Sequence, residues 1–355
     1  MNAPPRRSDG TIQHARRKQP WPPGRPFRIL TIDGGGIRGV FPAAYLAELE
    51  RRFLGGGSIA DHFDLIAGTS TGGIIALALA HGLTSQQALE IYVDRGERIF
   101  PTDKGWRKWW RLIRWVSRPK HDPAVLRREL TAVFGVKTLD AAGKRLVIPS
   151  FEGRHGEPFI YKTPHHPDYQ LDRVKAFVDV ALHTTAAPSY FPAVDDGGYV
   201  MIDGGVWANN PVMNALVDVL ACFDVPREDV RILSLGTGEA SFTIDARVGQ
   251  GGARHWAFLR AFKTAGRAQS KNALGQAFLL VGKDNVLRID VPESDRPIPL
   301  DDAPRALREL PLVARSMAEG SGHRVEEMFF SDTVDVYVAC PRPTPKLFKE
   351  LGLQP

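Results

Sequence analysis

Two short apolar runs, each cut off by glycines and each followed at once by an apolar helical stretch, constrain this chain more than any other feature. The first reads R-I-L-T-I-D-G-G-G-I-R-G over residues 28–39. Ile29, Leu30 and Ile32 make a buried strand, and Val40, Phe41, Ala44, Tyr45, Leu49 and Phe53 recur at helical spacing. The second reads F-D-L-I-A-G-T-S-T-G-G over residues 63–73 and passes into a buried helix over 74–81. Each glycine turn joins a strand to a helix and aims free backbone N–H groups at whatever negative charge lies there.

Later segments continue the alternation. Strands are predicted over 146–150, 158–162, 199–202, 230–235 and 286–291, between helical stretches, so the expected fold is α/β with a largely parallel sheet and helices on both faces. Thr84 and Gln87 form a capping box for a helix ending near residue 100, and Asp122-Pro123 opens another that stops at Gly135. At 355 residues, 43% hydrophobic and 24% charged, the chain can bury a large core in one domain with insertions. Residues 1–26 hold six prolines with Arg6, Arg7, Arg16, Arg17 and Lys18 and no periodicity, which predicts a flexible basic arm, either a solvated tail or a contact element, before a domain over 27–355.

The cysteines are two, Cys222 and Cys340, far apart in sequence; neither a disulfide framework nor a zinc site is indicated, and His165-His166 between two prolines reads as a loop rather than a metal site. The first ten residues have no apolar core of signal-peptide length, and the longest apolar run, residues 74–80, is too short to cross a bilayer. The expectation is a cytoplasmic protein, at most peripheral to a membrane. A net charge of +6 suits anionic partners, either lipid headgroups or nucleic acid, without choosing between them.

Gly68-Thr69-Ser70-Thr71-Gly72 has the G-x-S-x-G pattern of a nucleophile elbow, in which a serine sits at the apex of a strand-to-helix turn and flanking glycines make room for the tight backbone. The alternative is a serine that only caps the helix. A serine hydroxyl needs a base, and Asp203, at the end of a strand and followed by Gly204 and Gly205, is the best placed; alone, this would be an Asp-Gly turn. A histidine triad remains open through His255 and His323. Gly34, Gly36 and Gly39 also fit a dinucleotide fingerprint, but the next strand ends in Gly68-Thr69-Ser70 where an acidic residue would be needed.

Taken together, D-G-G-G-I-R-G, G-T-S-T-G and D-G-G, with A-N-N-P at 208–211 and L-S-L-G-T-G at 233–238, resemble the patatin-like phospholipases over residues 27–238 at least. The resemblance implies a three-layer α/β/α fold and a Ser-Asp dyad without histidine. Ser70 would be the nucleophile and Asp203 the base. The amides of Gly35 and Gly36, with Gly34 and Arg38 beside them, would form the oxyanion hole. Gly39, Gly68, Gly72, Gly204 and Gly205 would support the motifs. Arg38 would hold a headgroup phosphate or pair with a carboxylate. No cofactor is implied for the chemistry.

The insertion K-G-W-R-K-W-W-R-L-I-R-W-V-S-R-P-K-H over 104–121 carries four of the seven tryptophans. Trp106, Trp109 and Trp110 share a helical face, with Arg111 among the cations. This suits either the headgroup layer of an anionic membrane or a helix packed on the core or a second subunit. Within the family, the chain resembles bacterial effectors of antiphage signalling that a cyclic dinucleotide such as cyclic GMP-AMP switches on. That likeness implies membrane phospholipids as substrate, no DNA or RNA partner, homo-oligomerisation on activation, and action at the inner membrane. Arg254, Arg260, Lys263, Arg267 and Lys271 are the candidate activator contacts, or else a solvated helix face. A constitutive lipase and a non-catalytic nucleotide-binding module of the same fold are the alternatives.

Overall fold

The computed structural model describes residues 4–6, 16–99, 119–238 and 258–342, with backbone alone for 258–263. Among these residues, eight strands form one sheet: β1 (Phe27–Ile32), β2 (Leu65–Gly68), β3 (Arg145–Glu152), β4 (Glu157–Lys162), β5 (Val194–Asp196), β6 (Tyr199–Asp203), β7 (Val230–Leu235) and β8 (Val286–Ile289). The order is β8-β7-β1-β2-β3-β6-β5, and β4 lies on the other edge of β3. From β8 to β3 every pairing is parallel; β4, β5 and β6 join antiparallel.

The helices are α1 (Val40–Phe53), α2 (Thr71–His81), α3 (Ser85–Ile99), α4 (Pro123–Phe134), α5 (Phe177–Thr185), α6 (Gly205–Ala208), α7 (Val212–Cys222), α8 (Phe258–Val281) and α9 (Ala303–Phe329). Because side chains alternate along a strand, β1 feeds two cores. Leu30 and Ile32 pack with α1, α2, α5 and α9, whereas Phe27 and Ile29 pack with α7 and α8. Helices therefore cover both faces, giving the three-layer α/β/α fold.

Strand β3 is the fork on which the site depends. Arg145–Val147 pair parallel with Leu65–Ala67, while Ser150–Glu152 pair antiparallel with Met201–Asp203. Since β4 takes the opposite edge, β2 and β6 lie on one edge of β3 and run towards each other. Their carboxyl ends meet beside Ile148 and Pro149.

Part of the basic arm is docked, the contact alternative of the two readings. Gln19–Pro20 pair with Phe223–Asp224, and Trp21 packs on Phe27 with ring centroids 4.4 Å apart. Arg16 bonds Asp168 at 3.0 Å and Tyr169 at 2.7 Å. A composition that reads as disordered is held here by one aromatic anchor and a buried polar pocket. The insertion over 104–118 lies outside the described residues.

Candidate active site

Ser70 sits between β2 and α2 with φ 55 and ψ −123, a backbone that side chains rarely adopt. The turn is tight enough that only glycine fits on either side. A Cβ on Gly68 would lie 2.1 Å from the Gly72 carbonyl oxygen, and one on Gly72 would lie 2.3 Å from that of Ile32. The Ser70 N–H donates to Thr184 Oγ1 at 2.9 Å, and Thr184 donates to Pro149 O at 2.6 Å, so the bare carbonyl of the fork anchors the elbow.

Ser70 Oγ donates to Asp203 Oδ2 at 2.7 Å. The other carboxylate oxygen accepts the Gly205 N–H at 2.6 Å. Burial, only partly offset by these two hydrogen bonds, pushes the Asp203 carboxyl up to about 6. An aspartate so poised accepts a proton from a hydroxyl far better than one at 3.8.

The glycine loop arches over the same point. Gly34 N–H donates to Asn209 O at 3.1 Å, Arg38 N–H to Gly35 O at 3.2 Å and Ile37 N–H to Leu300 O at 2.9 Å. The Gly34 and Arg38 amides, expected beside the oxyanion donors, are themselves engaged by these bonds. Among the described residues no acceptor takes the Gly35 or Gly36 N–H. The Arg38 side chain bonds two carbonyls of the loop's surroundings, Gly35 O at 3.3 Å and Gly238 O at 2.6 Å.

A cavity of about 400 Å³ opens from the dyad and the glycine loop. Its walls are mainly apolar: Ile74 of α2, Ile91, Tyr92 and Ile99 of α3, and Leu126 and Leu130 of α4. Such a slot accepts a hydrocarbon chain whose polar end lies at Ser70.

The chain matches the family model described as patatin-like phospholipase over residues 30–216. It belongs to that family. This patatin-like chain is 40% identical over 229 residues to a cGAMP-activated phospholipase of Pseudomonas aeruginosa, an alignment covering 64% of this chain and 66% of the relative. It is 36% identical to one from Escherichia coli, covering 59% and 62%, and 34% identical to patatin-like protein 1 of Oryza sativa, covering 62% and 60%. The matches thus span less than two thirds of those relatives' own lengths.

Other expected residues fall elsewhere. His323 is exposed on α9 beside Glu326 and Phe53, away from the patatin-like dyad, and His255 lies outside the described residues. Trp106, Trp109, Trp110, Arg111 and Arg254 also lie outside them, and only the backbone of Arg260 and Lys263 is described. Arg267 and Lys271 converge on Glu293, at 2.5 and 3.9 Å. His165 and His166 lie in the loop after β4, as expected, and are buried there. His165, Asp218 and Cys222 lie within metal-ligand reach of one another, yet Lys162 and Tyr169 each donate to Asp218 at 2.6 Å. Burial pushes the Cys222 thiol up to about 11. Thr184 and Asn209 were missed as site residues: no local pattern marks Thr184, and A-N-N-P alone does not show that the Asn209 carbonyl reaches Gly34.

Proposed function

We propose that the chain is a lipid acyl hydrolase acting on membrane phospholipid esters. The observation that carries this reading is the 2.7 Å bond from Ser70 Oγ to an aspartate raised to about 6 at the mouth of an apolar cavity. Asp203 takes the Ser70 proton as Oγ attacks the ester carbonyl. The carbonyl π electrons move to oxygen, and the Gly35 and Gly36 amides stabilise that oxyanion. Collapse expels the alcohol or lysophospholipid, which leaves with the proton held by Asp203. Water then repeats the sequence on the acyl-enzyme, returning free fatty acid and Ser70.

Regulation by a cyclic dinucleotide is part of the same reading, supported by the likeness to bacterial cGAMP-activated phospholipases. A phosphate recognised by Arg267 and Lys271 would displace Glu293. The enzyme then works from the cytoplasm on the inner membrane, as an oligomer, with the Trp/Arg-rich insertion as its membrane contact. No described helix is long and apolar enough to cross a bilayer.

The test is fatty-acid release from phosphatidylglycerol and phosphatidylethanolamine vesicles by wild type and Ser70→Ala, with and without a panel of cyclic dinucleotides. Release by wild type alone, rising with cyclic GMP-AMP, is the expected result. Release by Ser70→Ala at the wild-type rate overturns the hydrolase reading; full release without nucleotide, unaltered by any, leaves a constitutive lipase.

A further inference from the structure

The L-S-L-G-T-G motif and the R-I-D that follows Leu287 supply no reacting group, yet they enclose the glycine loop. Arg288, opposite Ser234 in the β7–β8 pairing, reaches past it to Asp33, the residue before Gly34. The guanidinium meets both carboxylate oxygens, at 3.1 and 2.7 Å, bonds Ser234 Oγ at 2.9 Å, and donates to Asp290 Oδ2 at 2.6 Å. The second oxygen of Asp290 accepts the Gly238 N–H at 2.8 Å. Gly238 O accepts from Arg38, whose Nε turns back to Gly35 O. The circuit therefore leaves the glycine loop at Asp33 and returns to it at Arg38.

The bare positions of the motif fit this circuit. A Cβ on Gly236 would lie 2.1 Å from the Asp290 carboxylate, and Gly238 takes φ +84. Thr237 Oγ1 donates to Gly34 O at 2.8 Å from the same turn. A planar guanidinium between two carboxylates fixes direction as well as distance, which a packed apolar pair would not. Among the described residues, Arg38 and Gly34 to Gly36 line the substrate cavity, whereas Arg288 and Asp290 do not.

We propose that Arg288 and Asp290 are positioning residues: together they hold both ends of the glycine loop so that the Gly35 and Gly36 amides stay aimed at the oxyanion. The inference rests on the hydrolase reading above and assigns roles that the dyad itself does not need.

The experiment measures kcat and KM on p-nitrophenyl butyrate for the full chain carrying Asp290→Asn or Arg288→Lys, with Ser70→Ala as reference and the folded fraction taken from circular dichroism. The expected result is a kcat per folded molecule lower by about tenfold or more, a KM within about twofold, and an unchanged acid limb of the pH profile, because Asp203 is untouched. A purely structural role would lower the melting temperature and leave kcat per folded molecule at the wild-type value; that outcome in both variants overturns the proposal. If neither folds, Gly236→Ala displaces the same carboxylate without removing a charge, and wild-type kcat there overturns it equally. Activity retained by Ser70→Ala would instead bring down the dyad, whereas an inactive Ser70→Ala beside fully active variants brings down this inference alone.

Discussion

Replacing Asp203 by asparagine separates what the carboxylate does for the reaction from what it costs the fold. Asp203 is 4% exposed, and burial carries its carboxyl from the ordinary 3.8 up to about 6. With the folded value above the unfolded one, the folded state binds the proton more tightly. Its contribution to stability is fully present below about 3.8 and is lost as pH rises through about 6. At ~1.4 kcal/mol for each pH unit of displacement, the ionised group destabilises the fold by about 3 kcal/mol near pH 8. Asparagine has no charge to desolvate; its Oδ1 keeps the Gly205 N–H and its amide nitrogen donates to Ser70 Oγ. Asp203→Asn should therefore be more stable than wild type by up to about 3 kcal/mol near pH 8 and by little near pH 4, while turnover falls by about 10²–10⁴. Urea unfolding at the two pH values gives the first quantity. Wild-type kcat/KM on a soluble ester should show an acid limb centred near pH 6, about tenfold below its plateau one pH unit lower. An acid limb near 4, or a variant whose advantage does not grow with pH, refutes the reasoning.

Gly36→Val places a side chain where φ is +58 and the Cβ would lie 2.3 Å from the Leu300 carbonyl oxygen. The loop must shift, and loss of one oxyanion donor costs ~3 kcal/mol in turnover; unchanged kcat on a soluble ester would refute the assignment. Leu126→Trp narrows the apolar part of the cavity. Hydrolysis of a palmitate ester should fall while that of a butyrate ester persists, and an equal loss of both would show that the cavity does not hold the acyl chain.

What was legible in the sequence is what local chemistry decides. Helix α1 runs over the predicted residues 40–53 because its buried face recurs at helical spacing. The capping box closes as expected, Thr84 N–H to Gln87 at 2.9 Å and Gln87 N–H to Thr84 at 3.2 Å, and Asp122 caps α4. The elbow was legible because its glycines leave no other backbone. The fork in β3 was not: nothing in R-L-V-I-P-S-F-E says that one edge serves two strands running in opposite senses. The strand predicted to reach Val291 ends at Ile289, because Asp290 turns out of the sheet to bond Gly238 and Arg288. The cavity was not legible either, because the part of the core that stays open depends on α2, α3 and α4 at once.

The fork also makes Thr184 the residue through which sheet geometry reaches the nucleophile. Its hydroxyl is buried, donates to Pro149 O and accepts the Ser70 N–H, so two strand ends and one helix meet on a single oxygen. Valine has nearly the same shape but leaves both the carbonyl and the elbow N–H without that partner. A buried polar group deprived of its bond costs about 1–3 kcal/mol. Thr184→Val should lower stability by that order and reduce turnover further, because the apex of a strained turn is then free to relax away from Asp203. Thr184→Ser restores the oxygen and should restore both quantities, whereas an effect of lost methyl packing would appear in the serine variant instead. Denaturant unfolding and soluble-ester kinetics on the two variants separate the cases; a valine variant indistinguishable from wild type in both would show that the elbow holds its shape without the fork.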